Sequence, residues 1–262
     1  MLQDNYEHID ESVLYTTVNI AGPGMDLAVY EDQFEGCDCL LSCGVDCICM
    51  KRCGGVGFNS SGLLNVGDVS LIYECHENCT CRSESCNNRR VQKGPHPELQ
   101  VMETSMKGAG LRCLKNLKKG EFVCEYAGEV IGGEEARLRY ARLRPDDTNY
   151  LFALREHFGS TMSVTYVDAT HIGNIGRYIN HSCDPNLLII AVRTDTAVPK
   201  LCLFANRDIE CCTELTYDYG GGTEMVLTWD DDNGEGSICY CGTAVCRGKL
   251  PFDKSLKGFI AL

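Results

Sequence analysis

The stretch of sequence richest in chemically useful side chains covers residues 175–186, which read Ile-Gly-Arg-Tyr-Ile-Asn-His-Ser-Cys-Asp-Pro-Asn. Three adjacent polar residues, Asn180, His181 and Ser182, follow an apolar isoleucine and precede a cysteine. Because buried polar groups must find hydrogen-bonding partners, this composition does not suit a simple core strand. It is typical of a segment that binds a ligand or crosses another segment of the chain.

A second candidate segment covers residues 214–219 and reads Glu-Leu-Thr-Tyr-Asp-Tyr. Tyr217 and Tyr219 are two residues apart, so their side chains point to the same face if the segment is extended. Two aromatic rings packed on one face of a strand would give the same pattern. The tyrosines become a candidate site only in combination with another motif.

The chain contains nineteen cysteines, and ten of them lie between Cys37 and Cys86. Several are separated by a single residue, a spacing too short for independent tetrahedral fingers but suited to thiolates that bridge metal ions. Three zinc ions with four ligands each need twelve bonds, which six terminal and three bridging thiolates supply. A disulfide knot and an independent DNA-binding zinc module are the alternatives.

A second cysteine group, Cys239-x-Cys241-x4-Cys246, follows near the end of the sequence. Its three thiolates are one short of a tetrahedral zinc site. The fourth ligand is therefore expected from elsewhere in the chain.

The elements that would position these groups are mostly short strands. Apolar or alternating patterns predict strands over residues 99–103, 121–126, 149–154, 187–193 and 200–205. Residues 134–144 have a helical pattern whose four arginines predict a solvated face. Residues 54–74 and 220–236, rich in glycine and polar residues, are predicted to be a loop and a linker.

Composition limits the class of partner. At 262 residues with a net charge of −13, the chain lacks the basic balance of a nucleic-acid binder, and no run approaches the roughly 18 apolar residues of a membrane span. The start of the sequence has no secretory pattern, so the cysteines are expected in the reducing cytosol or nucleus. The acidic charge suits a basic partner, although it would also serve solubility alone.

Taken together, the segments at 180–186 and 214–219 resemble the two signature motifs of SET-domain histone-lysine methyltransferases. The cysteine array resembles the pre-SET module of their SUV39 class, and residues 172–183, 198–201 and 250–253 are most similar to its metnase-type branch. The implied fold is mainly β with short helices: a SET-domain β-clip pseudoknot flanked by zinc-bound pre-SET and post-SET modules.

The resemblance divides the chain into four parts. These are an acidic N-terminal arm at 1–36, a pre-SET three-zinc cysteine module at 37–95, a SET catalytic domain at 96–222, and a linker with a post-SET zinc module at 223–262. Residues 1–36 contain eight Asp or Glu and no Lys or Arg. This arm is expected either to wrap the zinc module or attract a basic tail, or to be a solvated lead-in.

The resemblance also implies the metal ligands. In the pre-SET module it assigns three zinc ions to nine cysteines: Cys37, Cys39, Cys43, Cys47, Cys49, Cys75, Cys79, Cys81 and Cys86. Cys53 falls where relatives carry an extra cysteine that binds no metal. The single post-SET zinc would take Cys183 of the central motif as its fourth ligand, beside Cys239, Cys241 and Cys246.

The implied reaction moves a methyl group from S-adenosylmethionine to a lysine amine. The resemblance assigns catalysis to three tyrosines: Tyr219, which orients the amine, Tyr150 and Tyr217. It assigns cofactor binding to nine residues: Lys107, Gly108, Ala109, Gly110, Tyr150, Arg177, Asn180, His181 and Tyr219. Tyr217 stands where the family has either Phe or Tyr, which predicts mono- or dimethylation.

The implied partner is the basic tail of histone H3, in a nuclear, chromosome-associated protein. The SUV39 class suggests lysine 9 of histone H3, and the metnase-type branch suggests lysine 36 or 4. No membrane partner and no sequence-specific DNA binding are expected. The alternative is a catalytically weak SET-like zinc scaffold that binds histone or chromatin partners.

Overall fold

The computed structural model describes residues 10–55, 57–65, 67, 69, 71–144, 147–220, 227–228 and 237–256. Its strands are β1 Leu14–Tyr15, β2 Ile20–Ala21, β3 Leu71–Tyr73, β4 Leu99–Glu103, β5 Ala109–Cys113, β6 Phe122–Tyr126, β7 Glu129–Ile131, β8 Leu151–Phe158, β9 Thr161–Asp168, β10 Ile172–Gly173, β11 Asn180–His181, β12 Leu187–Arg193, β13 Lys200–Ala205, β14 Glu214–Tyr217, β15 Leu227–Thr228 and β16 Phe252–Asp253. Its helices are α1 Leu27–Glu31, α2 Ile48–Lys51 and α3 Gly133–Arg142, with 3₁₀ turns at Val91–Lys93, Ile175–Tyr178 and Lys254–Leu256. None of the helices in the described part of the chain has the length and apolar character that crossing a bilayer requires.

The strands form three four-stranded sheets with the orders β3-β12-β13-β6, β2-β7-β9-β8 and β11-β14-β5-β4, and two short pairs, β1-β10 and β15-β16. The strands β6 and β13 are buried on both faces except at Lys200, and Val123, Leu201 and Leu203 are fully buried. The mainly β fold with few short helices is as predicted. Most of the residue 220–236 linker lies outside the described residues.

One crossing of the chain joins the two motifs. After the 3₁₀ turn at Ile175–Tyr178, β11 pairs in parallel with β14, so that Asn180 faces Thr216 and His181 faces Tyr217. Asn186 fixes this pairing with two 2.8 Å hydrogen bonds, since its Nδ2 donates to the Glu214 carbonyl and its Oδ1 accepts from the Thr216 N–H. Parallel neighbours need a long crossover connection, and here it runs through β12 and β13.

The prediction of a loop over residues 54–74 is wrong at its C-terminal end. The three residues of β3 extend a sheet in parallel with β12, and Ile72 is fully buried. The buried Glu74 carboxylate then accepts the backbone N–H groups of Arg90 and Val91 at 2.6 and 2.7 Å. Burial raises the pKa of Glu74. The cysteine-rich region is therefore joined to the main sheet through both backbone and side chain.

The described part of the acidic arm packs on the sheets. β1 pairs in parallel with β10 and β2 with β7, and the Asn19 side chain accepts the Gly128 N–H at 3.1 Å. Of the two expectations for this arm, a wholly solvated lead-in is wrong for residues 14–21. The reason is that backbone hydrogen bonds add β2 to the edge of the β7-β9-β8 sheet and pair β1 with β10.

The prediction that the arginines of α3 form a solvated face is also wrong at Arg139. Its guanidinium lies 2.7 Å from both Glu129 and Asp168 and 2.8 Å from Glu135. Glu129 and Asp168 are opposite each other in the β7–β9 pairing, so their two carboxylates need a shared cation. Arg139 supplies it and holds α3 against the sheet.

Candidate active site and metal centres

Tyr219 lies two residues after β14 and contacts residues 179–186, here called the crossing segment. Its hydroxyl donates to the Ile179 carbonyl at 3.1 Å, and its backbone N–H donates to Nδ1 of His181 at 3.2 Å. Its ring lies 4.8 Å from the ring of Tyr217 and 5.3 Å from that of His181. Burial raises the pKa of the Tyr219 phenol well above its ordinary value, and the neighbouring Tyr150 adds to this effect. The hydroxyl is therefore neutral at physiological pH.

His181 is held in its neutral form. Burial lowers its pKa to about 4, against the opposing effect of the Asp218 carboxylate 3.7 Å away. A neutral imidazole has one nitrogen free to accept a hydrogen bond, which is what the Tyr219 N–H requires. This hydrogen bond links the end of β14 to β11.

A cluster of phenols lies below Tyr219. Tyr217 is buried, with its ring 6.0 Å from that of Phe152. Tyr126 is also buried, and its hydroxyl donates to the Tyr150 carbonyl at 2.6 Å. Burial raises the pKa of both Tyr126 and Tyr217. Tyr126 was not assigned to the site from the sequence. The available signal was the segment Glu125-Tyr126-Ala127-Gly128-Glu129, since relatives have a similar Glu-Tyr-x-Gly-Glu segment.

Tyr150 is held by Arg177. The guanidinium carbon of Arg177 lies 3.9 Å from the centre of the Tyr150 ring, a cation–π contact. Arg177 is buried, and its Nε donates to the Ala169 carbonyl at 3.0 Å. The two residues were predicted as cofactor contacts, and the structure brings them together.

Asn180 contacts the predicted glycine segment. Its Nδ2 donates to the Ala109 carbonyl at 3.0 Å and to the Glu214 carboxylate at 3.1 Å. The same carboxylate lies 2.6 Å from the Lys107 ammonium. A Cβ at Gly110 would lie 2.7 Å from Thr104 and 3.2 Å from the Asn180 amide, so glycine is required for this close approach. Glu214 was recognised as part of the motif but not as a site residue.

Between these groups lies a cavity of about 130 Å³. It is lined by Lys107, His181, Tyr219, Ile238, Tyr240 and Leu250. The first three were predicted site residues. The last three come from the segment around the C-terminal cysteines, and nothing in their sequence pattern marked them in advance.

That segment is brought to the site by its cysteines. The sulfurs of Cys183, Cys239, Cys241 and Cys246 all lie within 4.8 Å of one another, and Cys183 Sγ is 3.8 Å from Cys239 Sγ. Four thiolates at about 2.3 Å from a tetrahedral zinc ion would be about 3.8 Å apart. The donor set and spacing therefore fit a zinc ion, and the expected fourth thiolate is the one the structure supplies.

The N-terminal array forms three overlapping groups of four sulfurs, each group within 4.8 Å. They are Cys37, Cys49, Cys75 and Cys79; Cys37, Cys43, Cys75 and Cys81; and Cys37, Cys39, Cys43 and Cys47. Cys86 is also buried in this region. Cys53 is instead turned to the Met50 carbonyl at 3.3 Å. Such overlap suits metal ions that share thiolates.

Comparison with known proteins places these features in a family context. The SET domain model matches residues 108–220, and the Pre-SET motif model matches residues 2–89. The histone-lysine N-methyltransferase SETMAR of Rattus norvegicus is 44% identical over 93% of this chain and 81% of that protein. SETMAR of Homo sapiens is 43% identical over 92% of this chain, which spans only 37% of the human protein.

Solved structures with similar folds include the methyltransferase domain of SETMAR as well. The methyltransferase domain of human SETMAR matches with a TM-score of 0.83 and 40% identity, over 94% of this chain and 91% of that one. Arabidopsis thaliana SUVH6 in complex with SAM matches at 0.74 and 31%, over 93% and 51% of the two chains. KRYPTONITE in complex with mCHH DNA, an H3(1–15) peptide and SAH matches at 0.69 and 28%, over 95% and 50%.

Proposed function

The chain belongs to the SET-domain histone-lysine N-methyltransferases, and from this premise we propose that it transfers one or two methyl groups from S-adenosylmethionine to a lysine of the histone H3 tail. The observation that supports this best is the contact between Tyr219 and the crossing segment. Its hydroxyl and N–H are hydrogen-bonded to Ile179 and His181, beside the cavity that the C-terminal segment covers.

The cofactor, when bound, supplies an electrophilic methyl group on a sulfonium. We assign its binding to Lys107 and the backbone of Gly108, Ala109 and Gly110, together with Arg177, Asn180 and His181. The Asn180 amide, already oriented by two acceptors, would present its remaining hydrogen-bonding capacity to the ligand. The apolar side chains from the C-terminal segment would exclude water from it.

The lysine substrate must lose a proton before it can attack, because a free lysine has a pKa of about 10.4. A channel lined by buried phenols disfavours the charged ammonium form. Tyr219 and Tyr150 would hold and orient the neutral amine through hydrogen bonds. Alignment of two bound reactants can contribute about 7–11 kcal/mol to lowering the barrier, so positioning is the main catalytic device that these residues offer.

Tyr217 carries the proposal on the degree of methylation. Its phenol is buried beside Tyr219 and Phe152. A hydroxyl at this place can hold a water molecule, which leaves less room for a third methyl group. We therefore assign mono- and dimethyl lysine as the products.

The cysteine groups offer enough thiolates for four zinc ions. We assign three to the nine pre-SET cysteines, with Cys37, Cys43 and Cys75 as the bridging thiolates because each belongs to more than one sulfur group. The fourth would be held by Cys183 with the three C-terminal cysteines. Its role would be to hold the C-terminal segment that bears Ile238, Tyr240 and Leu250, here called the lid, against the cavity.

The substrate follows from charge and from the family. A net charge of −13 favours a basic peptide, and histone substrates place the protein at chromatin in the nucleus. The candidate target residues are lysine 9, from the SUV39 resemblance, and lysine 36 or 4, from the similarity to SETMAR.

The test is methylation of recombinant histone H3 and of peptides centred on each of the three lysines by the zinc-loaded chain. Radiolabelled transfer and product mapping by mass spectrometry should find mono- and dimethyl lysine at one of these positions. Tyr219→Phe should abolish transfer without loss of zinc. Histone binding without transfer would instead support the scaffold alternative, and abundant trimethyl product would refute the role given to Tyr217.

A further inference from the structure

Six cysteines lie outside the two predicted zinc ligand sets, and two of them differ from the rest. Cys113, Cys124 and Cys202 are buried and Cys53 is partly buried, whereas the neighbouring pair Cys211 and Cys212 is exposed. The pair occupies the turn that leads into β14. It is accessible to solutes that do not reach the core thiols.

The backbone of this turn holds the two sulfurs together. Their Sγ atoms are 3.3 Å apart. The Cys211 N–H donates to Asn116 Oδ1 at 2.7 Å, and the Cys212 N–H donates to the Cys113 carbonyl at 2.8 Å. Cys212 has φ +65°, the one positive φ outside glycine in the described part of the chain. Such a conformation is unfavourable for a side-chain-bearing residue, so the two hydrogen bonds maintain it.

The spacing of the pair disfavours its two most familiar uses. Disulfides usually join Cα atoms roughly 4.4–6.8 Å apart, whereas consecutive Cα atoms are only about 3.8 Å apart across a trans peptide. A zinc ion would need further protein ligands, and among the described residues no third Cys, His, Asp or Glu forms a metal-ligand group with these sulfurs. The geometry suits a thiophilic centre that takes two sulfurs and brings its own third substituent.

We propose that Cys211 and Cys212 form a chelating dithiol site for monosubstituted trivalent arsenicals, R–As(OH)₂. Two As–O bonds break and two As–S bonds form. Each thiol proton leaves with a hydroxide as water, and arsenic stays trivalent, so the step needs no oxidant or reductant. Preorganisation of the sulfurs removes most of the ordering cost of closing the chelate ring.

The probe is phenylarsine oxide, added at one equivalent to the zinc-loaded full chain in the presence of excess 2-mercaptoethanol. Intact-mass spectrometry should show a single adduct, because the monothiol displaces arsenic from isolated cysteines but not from a chelating pair. A chromogenic zinc chelator should detect no released zinc. Peptide mapping should locate the adduct at residues 211–212.

Two single variants test the chelation. Cys211→Ser and Cys212→Gly should each weaken binding by about 10²–10⁴-fold, the advantage expected of a second linked contact. Glycine at 212 accepts the positive φ, so this variant keeps the turn intact. Cys53→Ser, which removes a partly buried thiol outside the Cys211–Cys212 pair, should bind as the native chain does.

Zinc content and melting temperature identify the folded variants. The proposal is overturned if the native chain forms no adduct, if adduct formation releases zinc in proportion, or if both folded variants retain native affinity.

Discussion

Replacement of Glu214 by glutamine is expected to weaken cofactor use without unfolding the protein. Glu214 connects two predicted cofactor-binding residues, since its carboxylate accepts from the Asn180 amide at 3.1 Å and pairs with the Lys107 ammonium at 2.6 Å. Glutamine has nearly the same shape but offers only one oxygen and no charge. It can satisfy one partner and presents an amide donor to the other.

The magnitude follows from the strength of charged hydrogen bonds. These contribute about 1.5–3 kcal/mol when partly shielded from water, and the Lys107 and Glu214 side chains are only 17% and 23% exposed. Because each 1.4 kcal/mol is a factor of ten, losing one such bond should reduce kcat/KM for S-adenosylmethionine by about 10- to 150-fold. The loss should appear mainly as a higher KM, since Lys107 and Asn180 are expected to act in binding.

The assay varies S-adenosylmethionine at saturating H3 peptide and follows radiolabelled product. Glu210→Gln is the matched control, because Glu210 is exposed in the turn just before β14. It should change kcat/KM by less than about twofold. Native kcat/KM in Glu214→Gln, or a lower kcat with an unchanged KM, would contradict this role of Glu214.

Three other substitutions test separate parts of the structure. Tyr217→Phe should shift the product towards trimethyl lysine, read by mass spectrometry; an unchanged product distribution would contradict the space argument. Cys183→Ser should remove one zinc per chain, measured by elemental analysis, and weaken S-adenosylmethionine binding in calorimetry, whereas loss of zinc alone would separate the lid from the cofactor site. Leu256→Ala should lower the free energy of unfolding by about 2–5 kcal/mol, because Leu256 is 4% exposed beside α3. Leu138→Ala, at a position 44% exposed, should cost less than about 0.5 kcal/mol in the same denaturant titration.

Local pattern was sufficient for the elements that form the core. Strands were predicted at 187–193 and 200–205 and are observed with those bounds, because both are continuous apolar runs that suit burial on two faces. The helix predicted at 134–144 is observed at 133–142. In each case the decisive information lies within about ten residues, where periodicity is readable.

Pairings between distant segments could not be read in this way. β3 has only three residues, and its partner β12 lies more than a hundred residues later, so its sequence gives no signal of a strand. Arg139 is one arginine among three on α3, and only the pairing of Glu129 with Asp168 across two strands distinguishes it. Tertiary context decided both cases.

The candidate site shows the same division. Asn180, His181 and Tyr219 lie in recognisable motifs, and the structure brings them together. Tyr126 ends a predicted strand, where packing was the reasonable interpretation of an aromatic, and Tyr240 is an isolated aromatic between two cysteines. Their positions depend on the sheet and on the cysteine group that carry them.

The short segment from Ile179 to Asn186 explains why the parts of this protein should act as one. It supplies the carbonyl that Tyr219 binds, the amide and imidazole beside the cavity, the Cys183 thiol at the C-terminal cysteine group, and the asparagine that locks β14 in place. A metal ion that binds the folded site but not the unfolded chain stabilises the fold. Because Cys183 is two residues from His181, the proposed zinc and the proposed cofactor would order the same backbone. Each should therefore strengthen the other by the same factor, as linkage requires.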